Sequence, residues 1–282
     1  MKRRYLPSVA SGELHIAFGV TEPDAGTDTT NISTHAHLEG DHYVVRGRKV
    51  WTSKALEAEK VLLLVRTTPL SECDRRTDGM TLLLANLRDP AVNIRAIPKA
   101  GRNAVASCEV SYDDLTVSAE DLVGTEGRGF YHLLDGLNPE RILIAAEAIG
   151  TGRLALDRAI MYARERVVFG RPIGANQGIA FPLAEAHARL SAAEQMVAEA
   201  ARRYDSGQAC AEQANLGKWL AADAADLATD RAVQTLGGMG YATEYDVERY
   251  WREARIFRLA PVSQEMVMNY VSEHVLGLPR SY

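Results

Sequence analysis

The chain has 282 residues, of which 46% are hydrophobic and 24% charged, and its formal net charge is −5. That length and apolar fraction predict one large or two ordinary globular domains and exclude a wholly disordered chain. The acidic balance gives no electrostatic basis for a nucleic-acid partner. The longest apolar runs, such as residues 61–65, are too short to cross a bilayer, so we expect no membrane partner and a cytoplasmic protein.

The three cysteines predict neither a disulfide framework nor a zinc site. Cys73, Cys108 and Cys210 are far apart and lack CxxC spacing, which is typical of a protein from a reducing compartment. The basic residues 1–4 are not followed by the apolar stretch that a secretory signal needs. The seven histidines also lack metal-ligand spacing, so we expect no metal.

The first 120 or so residues are typical of β structure. Strand-length runs are separated by Gly, Pro, Asp and Asn, the usual turn residues, and residues 39–41 predict a hairpin between the first two runs. The runs are Thr34–Leu38, His42–Arg46, Lys49–Thr52, Lys60–Arg66, Met80–Leu87, Val92–Ile97 and Cys108–Tyr112. We therefore predict an N-terminal antiparallel β-barrel or sandwich domain over residues 1–122.

After Asp121 the sequence becomes typical of long helices. Alanine and leucine dominate, and arginine and glutamate recur at three- and four-residue spacing. The helical windows cover about residues 129–137, 140–166, 177–204, 210–235 and 263–276. Long helices joined by short loops predict an antiparallel four-helix-type bundle over residues 123–282, so the fold class is α+β.

Five segments carry the most distinctive residues. The segment at 17–28 is rich in turn-forming and hydroxyl residues, which suits a loop that binds a polar ligand, although an ordinary surface loop has the same composition. In order, the segments are TEPDAGTD at 21–28, GDHYVVRGRKVWTS at 40–53, ARERVVFGRPI at 163–173, QTLGGMGY at 234–241 and ERYWREARI at 248–256. In order and spacing they resemble the acyl-CoA dehydrogenase family over about residues 13–275.

The resemblance implies a role for each half of the chain. The family's middle β domain corresponds to residues 1–122, which would bind flavin and acyl-CoA. The C-terminal helical domain corresponds to residues 123–282, which would complete the FAD site, form oligomer contacts and carry the catalytic base. The family's N-terminal helical domain, which covers part of the acyl pocket, has no counterpart in these 282 residues, so the sequence predicts neither the length nor the branching of the acyl group.

The resemblance also implies which residues bind FAD. A flavin needs a flat aromatic wall and hydroxyl or backbone donors near N5, roles that Trp51 and Ser53 suit, although a core position is the alternative for Trp51. The residues of the FAD-binding loop and the isoalloxazine wall are Phe18, Val20, Thr21, Gly26, Thr27, Trp51, Thr52 and Ser53. The residues that reach a neighbouring subunit's FAD are Arg166, Phe169, Gln177, Gln234, Gly237 and Gly238, and those in a loop near FAD are Ser263 and Glu265.

The catalytic base of the family is a carboxylate, and this chain lacks it at the usual position. Pro261 stands where many members carry that glutamate. A second family arrangement places a glutamate just before an arginine on the first long helix, and Glu140-Arg141 has this pattern. The alternative for Glu140 is a structural acid in a first helical turn, with Asn138 as N-cap and Pro139 at the first helical position. Arg141 would support the site or bind the CoA moiety, or else form a surface ion pair, and Thr27 would also touch substrate.

Pro261 has a second consequence for the proposed chemistry. In the family, the backbone N–H at this position helps to hold the thioester oxygen, and proline has no N–H. The loss of one such donor costs about 3 kcal/mol of transition-state stabilisation. The open alternatives are a shifted loop in which the Val262 N–H serves, a different arrangement around the carbonyl, or weak dehydrogenation.

The function implied by the resemblance is FAD-dependent α,β-dehydrogenation of an acyl-CoA thioester, with electrons passing to an electron-transfer flavoprotein. Because several of the implied FAD contacts serve another chain in the family, a homo-oligomer is also implied, either a dimer or a tetramer. Two other functions stay open. One is a related flavin oxidase acting on acyl-CoA or a nitroalkane, and the other is a non-catalytic or partner-dependent subunit with a flavin fold.

Overall fold

A computed structural model describes residues 1–281, and the chain divides into two compact units. The first unit runs from residue 1 to 135 and the second from residue 136 onward. The first is built mainly on a β-sheet and the second on helices, which confirms the α+β class. The domain bounds drawn from the sequence, 1–122 and 123–282, and the roles assigned to them stay predictions.

The first unit contains an eight-stranded sheet, an N-terminal helix and several short 3-10 turns. Its elements are α1 (Lys2–Ser11), β1 (Ile16–Gly19), β2 (His35–Glu39), β3 (His42–Ser53), β4 (Lys60–Arg66), β5 (Met80–Asn86), β6 (Val92–Ala96), β7 (Ser107–Ser118) and β8 (Leu122–Val123). The strand order is β6-β7-β3-β2-β4-β5-β8, and β1 pairs with β4. Most neighbouring strands pair antiparallel, as predicted, whereas β4 runs parallel to both β1 and β2, a departure from that prediction.

Strand β4 shows why the sheet forms where it does. Its apolar run is buried on both faces: Val61, Leu63 and Val65 enter one hydrophobic cluster, and Leu64 enters another. A strand covered on both faces is expected to be continuously apolar rather than alternating. This is why its bounds could be predicted correctly from the sequence.

Strand β3 differs from its prediction as two separate strands. It is one strand whose register against β7 shifts between Val45 and Gly47 and again between Lys49 and Thr52. At the first shift the backbone of Gly47 has a φ of 147°, and a Cβ there would lie 2.6 Å from the Thr34 Cα. Only glycine allows so close an approach. The glycine therefore marks an irregularity inside a strand and not the end of one.

The second unit is built on long helices. Its elements are α2 (Gly129–Glu165, which begins in the first unit), β9 (Val167–Val168), β10 (Arg171–Pro172), α3 (Gln177–Asp205), α4 (Ala211–Leu236), α5 (Val247–Ala254) and α6 (Gln264–Tyr270). Three of the helices meet at Gly152 of α2, where a Cβ would lie 2.8 Å from the Leu190 side chain and 3.1 Å from the Ala225 Cα. Small residues thus let the helices approach closely. No helix within residues 1–281 is long and apolar enough to cross a membrane.

The helix predictions need three corrections. The sequence predicts a break between residues 137 and 140, but α2 runs through Pro139 without ending. The windows also miss α1, of which only Tyr5 is buried, and α5, which lies within a segment identified as a motif rather than as a helix. The last predicted helix ends early, since α6 passes into a π-helical turn at residues 271–275.

Candidate functional site

In the first unit, the fold brings two of the predicted flavin segments together. The segment after β1 returns alongside β3, where the Val50 N–H donates to the Thr21 carbonyl at 2.8 Å. Phe18 is 41% exposed and Trp51 is 56% exposed, so two large aromatic side chains near this junction remain on the surface. Exposed aromatic side chains of this size are typical of a binding surface rather than of a core.

A buried ion pair holds the segment after β1, a predicted flavin segment, against β3. The Lys49 side chain is 0% exposed, and its Nζ lies 2.8 Å from Oε1 of Glu22, which is also buried. The same Nζ donates to the Val20 carbonyl at 2.9 Å. Glu22 also accepts hydrogen bonds from the Ser33 N–H at 2.7 Å, the Ser33 hydroxyl at 2.8 Å and the Thr34 N–H at 3.0 Å.

These contacts determine the charge of Glu22. Burial raises the pKa of its carboxyl, but the Lys49 charge and the four donated hydrogen bonds outweigh burial and lower the pKa to about 2. Glu22 is therefore ionised over the physiological pH range. The ion pair fixes the backbone between Val20 and Glu22 on the same part of β3 that leads to Trp51.

The candidate wall residues lie at the second register shift of β3. Trp51 has a φ of 61°, in the left-handed region that non-glycine residues rarely adopt. Backbone strain of this kind persists at positions where the surrounding structure requires it, and it is frequent at functional sites. Ser53 is exposed, whereas Thr52 is completely buried and its Oγ1 has no hydrogen-bond partner within the described residues.

These features fit a flavin. An exposed indole offers a flat wall, and the exposed Ser53 side chain offers a hydroxyl, whereas the Thr52 hydroxyl is enclosed by protein. The tip of the preceding loop, Gly26 and Thr27, is exposed, as a loop that contacts a ligand must be. The whole set in this unit is Phe18, Val20, Thr21, Gly26, Thr27, Trp51, Thr52 and Ser53.

In the second unit, one group of candidate residues lies on a small hairpin. Strands β9 and β10 pair through a turn at Phe169 and Gly170, whose φ angles are 52° and 80°. Both values are those of the tight turns that join two-stranded hairpins. Phe169 at the tip is 100% exposed, and Arg166 at the base is also exposed. A fully exposed phenylalanine on a rigid hairpin is available for contact with another molecule.

Another group surrounds a cleft between the start of α3 and the end of α4. The cleft has a volume of about 190 Å³, and its lining includes Gly178 and Gln234. Gln177 adjoins this lining, and Gly237 and Gly238 follow at the end of α4, all of them exposed. Gln177 and Gln234, which are 57 positions apart in the sequence, thus lie at the same surface. The resemblance predicts that both contact FAD.

Glu140 lies inside α2 and not at its start. The structural alternative for this residue, with Asn138 as N-cap and Pro139 in the first turn, is wrong because the helix begins at Gly129. The Asn138 Oδ1 instead accepts a hydrogen bond from Nη1 of Arg141 at 3.0 Å. A proline in a helix interior removes a backbone hydrogen bond and is normally costly, so its presence one residue before Glu140 needs a local compensation or a function.

The electrostatics of Glu140 differ from those of an exposed acid. The side chain is half-buried, and burial raises the pKa of its carboxyl, against the opposing charge of Arg141. Within residues 1–281 its carboxylate accepts no hydrogen bond from a protein group. Burial also lowers the pKa of the Arg141 guanidinium, whose buried Nε has no hydrogen-bond partner among the described residues. Perturbed, incompletely paired groups of this kind are typical of functional sites.

The loop that precedes α6 contains three residues named from the sequence. Pro261 is partly buried, and Glu265 is exposed on the first turn of α6. The Ser263 hydroxyl accepts a hydrogen bond from the Met266 N–H at 3.3 Å and so caps the helix. This cap gives Ser263 a structural role, and its contact with FAD stays a prediction.

The sequence reasoning did not single out three charged residues that the structure places near these groups: Glu22, Lys49 and Lys218. Lys49 shares its strand face with Tyr43 and Val45, and Lys218 lies on the helix face of the buried Ala214 and Ala225. A lysine that falls on the apolar face of a regular element is the pattern that would have identified Lys49 and Lys218, whereas Glu22 lies in a loop, where no such pattern applies. The part of the chain that the structure describes, residues 1–281, contains no cluster of three or more metal-ligating side chains.

Comparisons with known proteins agree with the motifs. Residues 17–115 match the model of the acyl-CoA dehydrogenase middle domain, and residues 127–276 match that of the C-terminal domain. The chain is 41% identical to the acyl-CoA dehydrogenase FadE12 of Mycobacterium bovis over 100% of its own length and 72% of that relative. It is similar to butyryl-CoA dehydrogenase from Megasphaera elsdenii, with a TM-score of 0.93 and 31% identity over 98% of this chain and 71% of the other. A chain from a structure of the electron transferring flavoprotein of Acidaminococcus fermentans gives a TM-score of 0.93 and 33% identity, over 98% of this chain and 72% of that chain.

Proposed function

The chain belongs to the acyl-CoA dehydrogenase family of flavoprotein oxidoreductases, and on this basis we propose that it dehydrogenates an acyl-CoA thioester with Glu140 as the catalytic base. The observation that supports this base best is the state of Glu140 itself. It is a half-buried carboxylate with a raised pKa, and no group among residues 1–281 donates a hydrogen bond to it. A base of this kind is poised to take a proton rather than to stabilise a helix.

In the proposed reaction, the Cα–H bond breaks and its proton goes to a Glu140 carboxylate oxygen. The Cβ–H bond breaks with its electron pair, and a carbon–carbon double bond forms between the two carbons. Bound FAD supplies the acceptor for the hydride. Arg141, one residue along α2, favours the ionised form of Glu140 before the proton transfer. The raised pKa of Glu140 strengthens it as a base near neutral pH.

The chain's own residues would bind and orient the cofactor. In the first unit, Phe18 and Trp51 provide aromatic surface, and Ser53 provides an exposed hydroxyl beside Trp51. The ion pair between Lys49 and Glu22 keeps the loop before Gly26 in place. With Pro261 unable to donate, the Val262 N–H is the next backbone donor in the sequence for the thioester oxygen.

We further propose a homo-oligomer and an electron-transfer flavoprotein as electron acceptor. The exposed Phe169 hairpin and the surface around Gln177 and Gln234 are suited to contact another subunit and its FAD. One structural relative comes from an electron transferring flavoprotein structure, which supports an acceptor of that class. A partner-dependent, non-catalytic subunit is the second candidate, because Pro261 removes a backbone donor.

The test is anaerobic bleaching of the flavin absorbance by a panel of acyl-CoA thioesters, with FAD-loaded wild-type protein and the Glu140→Gln variant. We expect Glu140→Gln to bind FAD as the wild type does and to bleach about 10²- to 10⁴-fold more slowly, since it cannot accept the proton. The matched control is Glu185→Gln, which removes an exposed glutamate paired with Arg189 on α3. The bleaching rate of the wild type should rise with pH as Glu140 ionises, with an apparent pKa above that of an ordinary glutamate.

The outcomes separate the candidates. Normal bleaching by Glu140→Gln would remove Glu140 as the base. A yellow wild-type protein that no acyl-CoA bleaches would favour the non-catalytic subunit. Rapid reoxidation of the bleached protein by air, without an electron-transfer flavoprotein, would favour the oxidase.

A further inference from the structure

Lys218 is a buried cation in the second unit that the proposed reaction does not use. It lies on the apolar face of α4 and is 1% exposed. Its Nζ donates to the Val262 carbonyl at 2.6 Å. Burying an ammonium group is costly, and a neutral amide could have donated the same hydrogen bond. The positive charge at this position therefore requires an explanation beyond packing.

The loop of residues 259–263 is anchored to α4 on both sides of that contact. Before the loop, Nη1 of Arg258 donates to Oδ2 of Asp226 at 3.0 Å. After it, the Gln264 amide contacts Oδ2 of Asp223 at 3.3 Å and accepts from Nε of Arg258 at 2.8 Å. Lys218 contributes the contact in the middle. Three points of attachment to one helix hold a segment that includes a proline and has no regular structure of its own.

Lys218 also connects this loop electrostatically to the helix that carries Glu140. The charged groups that act on it are Arg141 from α2, Asp223 from α4 and Glu265 from α6. Burial and the like charge of Arg141 lower its pKa to about 8, while the two carboxylates oppose this shift. The charge of Arg141, which follows Glu140 on α2, therefore acts on the same ammonium group that donates to the Val262 carbonyl.

We propose that Lys218 is a positioning residue, whose ammonium holds the Val262 carbonyl and so keeps the Pro261 loop in one conformation for the reaction at Glu140. This rests on the proposed function for its catalytic part, whereas the anchoring of the loop stands on the hydrogen bond alone. Because the peptide unit is planar, fixing the Val262 carbonyl also fixes the direction of the next N–H, that of Ser263. The residue acts through the loop and does not touch substrate.

The first measurement does not depend on activity. Hydrogen exchange of the amides from Leu259 to Met266 is compared in FAD-loaded wild type, Lys218→Met and Lys218→Gln, after correction for intrinsic exchange rates. Lys218→Met removes both donor and charge, so we expect protection of this loop to fall at least tenfold at pH 7. Lys218→Gln keeps a neutral donor, so we expect an intermediate loss.

The pH dependence separates charge from hydrogen bonding. In the wild type, raising the pH through about 8 removes the proton from Lys218, so protection of the loop should fall between pH 7 and 9.5. In neither variant should loop protection fall in this way over the same pH range. The control is Thr229→Val on the same helix, which removes a buried hydroxyl bonded only within α4 and should leave the loop unchanged. If Lys218→Met does not fold, the absence of this fall in Lys218→Gln still tests the charge.

The second measurement is the rate of bleaching by acyl-CoA. We expect Lys218→Met to lower the limiting rate at least tenfold, with little change in FAD affinity, because a misplaced loop affects the reacting geometry more than cofactor binding. Unchanged loop exchange in both variants would overturn the proposal, as would changed exchange with an unchanged limiting rate. A third outcome is that loop exchange changes as expected but no acyl-CoA bleaches the wild type. That result would overturn the proposed function alone and would support the anchoring of the loop by Lys218.

Discussion

Each of the two units buries a lysine, and the two lysines are compensated differently. In the first unit, Lys49 faces a carboxylate, Glu22, at 2.8 Å. In the second, Lys218 faces a neutral carbonyl at 2.6 Å and forms no ion pair within the described part of the chain. Both side chains position a segment that carries candidate site residues. At the lysine itself, the contact is therefore between two opposite charges in the first segment and between one charge and a neutral carbonyl in the second.

The difference predicts how each segment responds to change. In an ion pair, removal of one partner leaves the other charge buried without compensation, so the two residues depend on each other. A lysine bonded to a carbonyl leaves only a polar neutral group when it is removed. The flavin segment of the first unit should thus be fragile to mutation, whereas the loop at Pro261 should tolerate mutation better.

The largest expected effect is that of Lys49→Met. Because it leaves the Glu22 carboxylate buried and unpaired, we expect it to lower the free energy of unfolding by about 3–5 kcal/mol. Lys218→Met, which leaves only the Val262 carbonyl without its donor, should cost about 1–3 kcal/mol. Urea denaturation of the two variants measures both values. The double variant Lys49→Met/Glu22→Gln should recover much of the loss, and equal costs for the two single variants would contradict the comparison.

The next effect is acid sensitivity of the first unit. The Glu22 pKa is about 2 in the folded protein, against an ordinary value of 4.5, so its contribution to stability is complete above about pH 4.5. It is lost as the pH falls toward 2 and amounts to about 3 kcal/mol. We expect the difference in unfolding free energy between wild type and Glu22→Gln to shrink by this amount between pH 5 and 2. A difference that stays constant over that range would show that Glu22 is not the group responsible.

The two lysines also show how much of the structure could be predicted from the sequence. Alternation along β3 and helical periodicity along α4 place Lys49 and Lys218 on buried faces, so their burial could have been predicted. The oxygen atoms that they meet could not, because Glu22 and Val262 are 27 and 44 residues away in the chain and reach them only through the fold.

The same limit explains the errors in the elements. Strand β4 could be predicted because its apolar run is local, whereas the parallel pairing of β1 with β4 joins segments 44 residues apart. Pro139 and the turn-forming residues near it favour a helix start, but packing carries α2 through them. The five motifs are local in sequence, so the family could be identified from them, while the protein groups around Glu140 depend on the fold.

The smallest expected effect concerns two buried hydroxyls of the first unit that have no protein partner in the described residues, those of Thr52 and Tyr112. Thr52→Val and Tyr112→Phe each remove an unpaired buried polar group at nearly constant shape, so each should raise the unfolding free energy of the FAD-free protein by about 1 kcal/mol. Only Thr52 belongs to the proposed flavin wall. Its hydroxyl is enclosed by protein, however, so we expect both variants to bind FAD as the wild type does. By contrast, Ser53→Ala removes an exposed hydroxyl and should weaken FAD binding about 2- to 10-fold by fluorescence titration. Weaker FAD binding by Thr52→Val would show that its hydroxyl reaches the cofactor after a local movement, and unchanged binding by Ser53→Ala would remove Ser53 from the flavin wall.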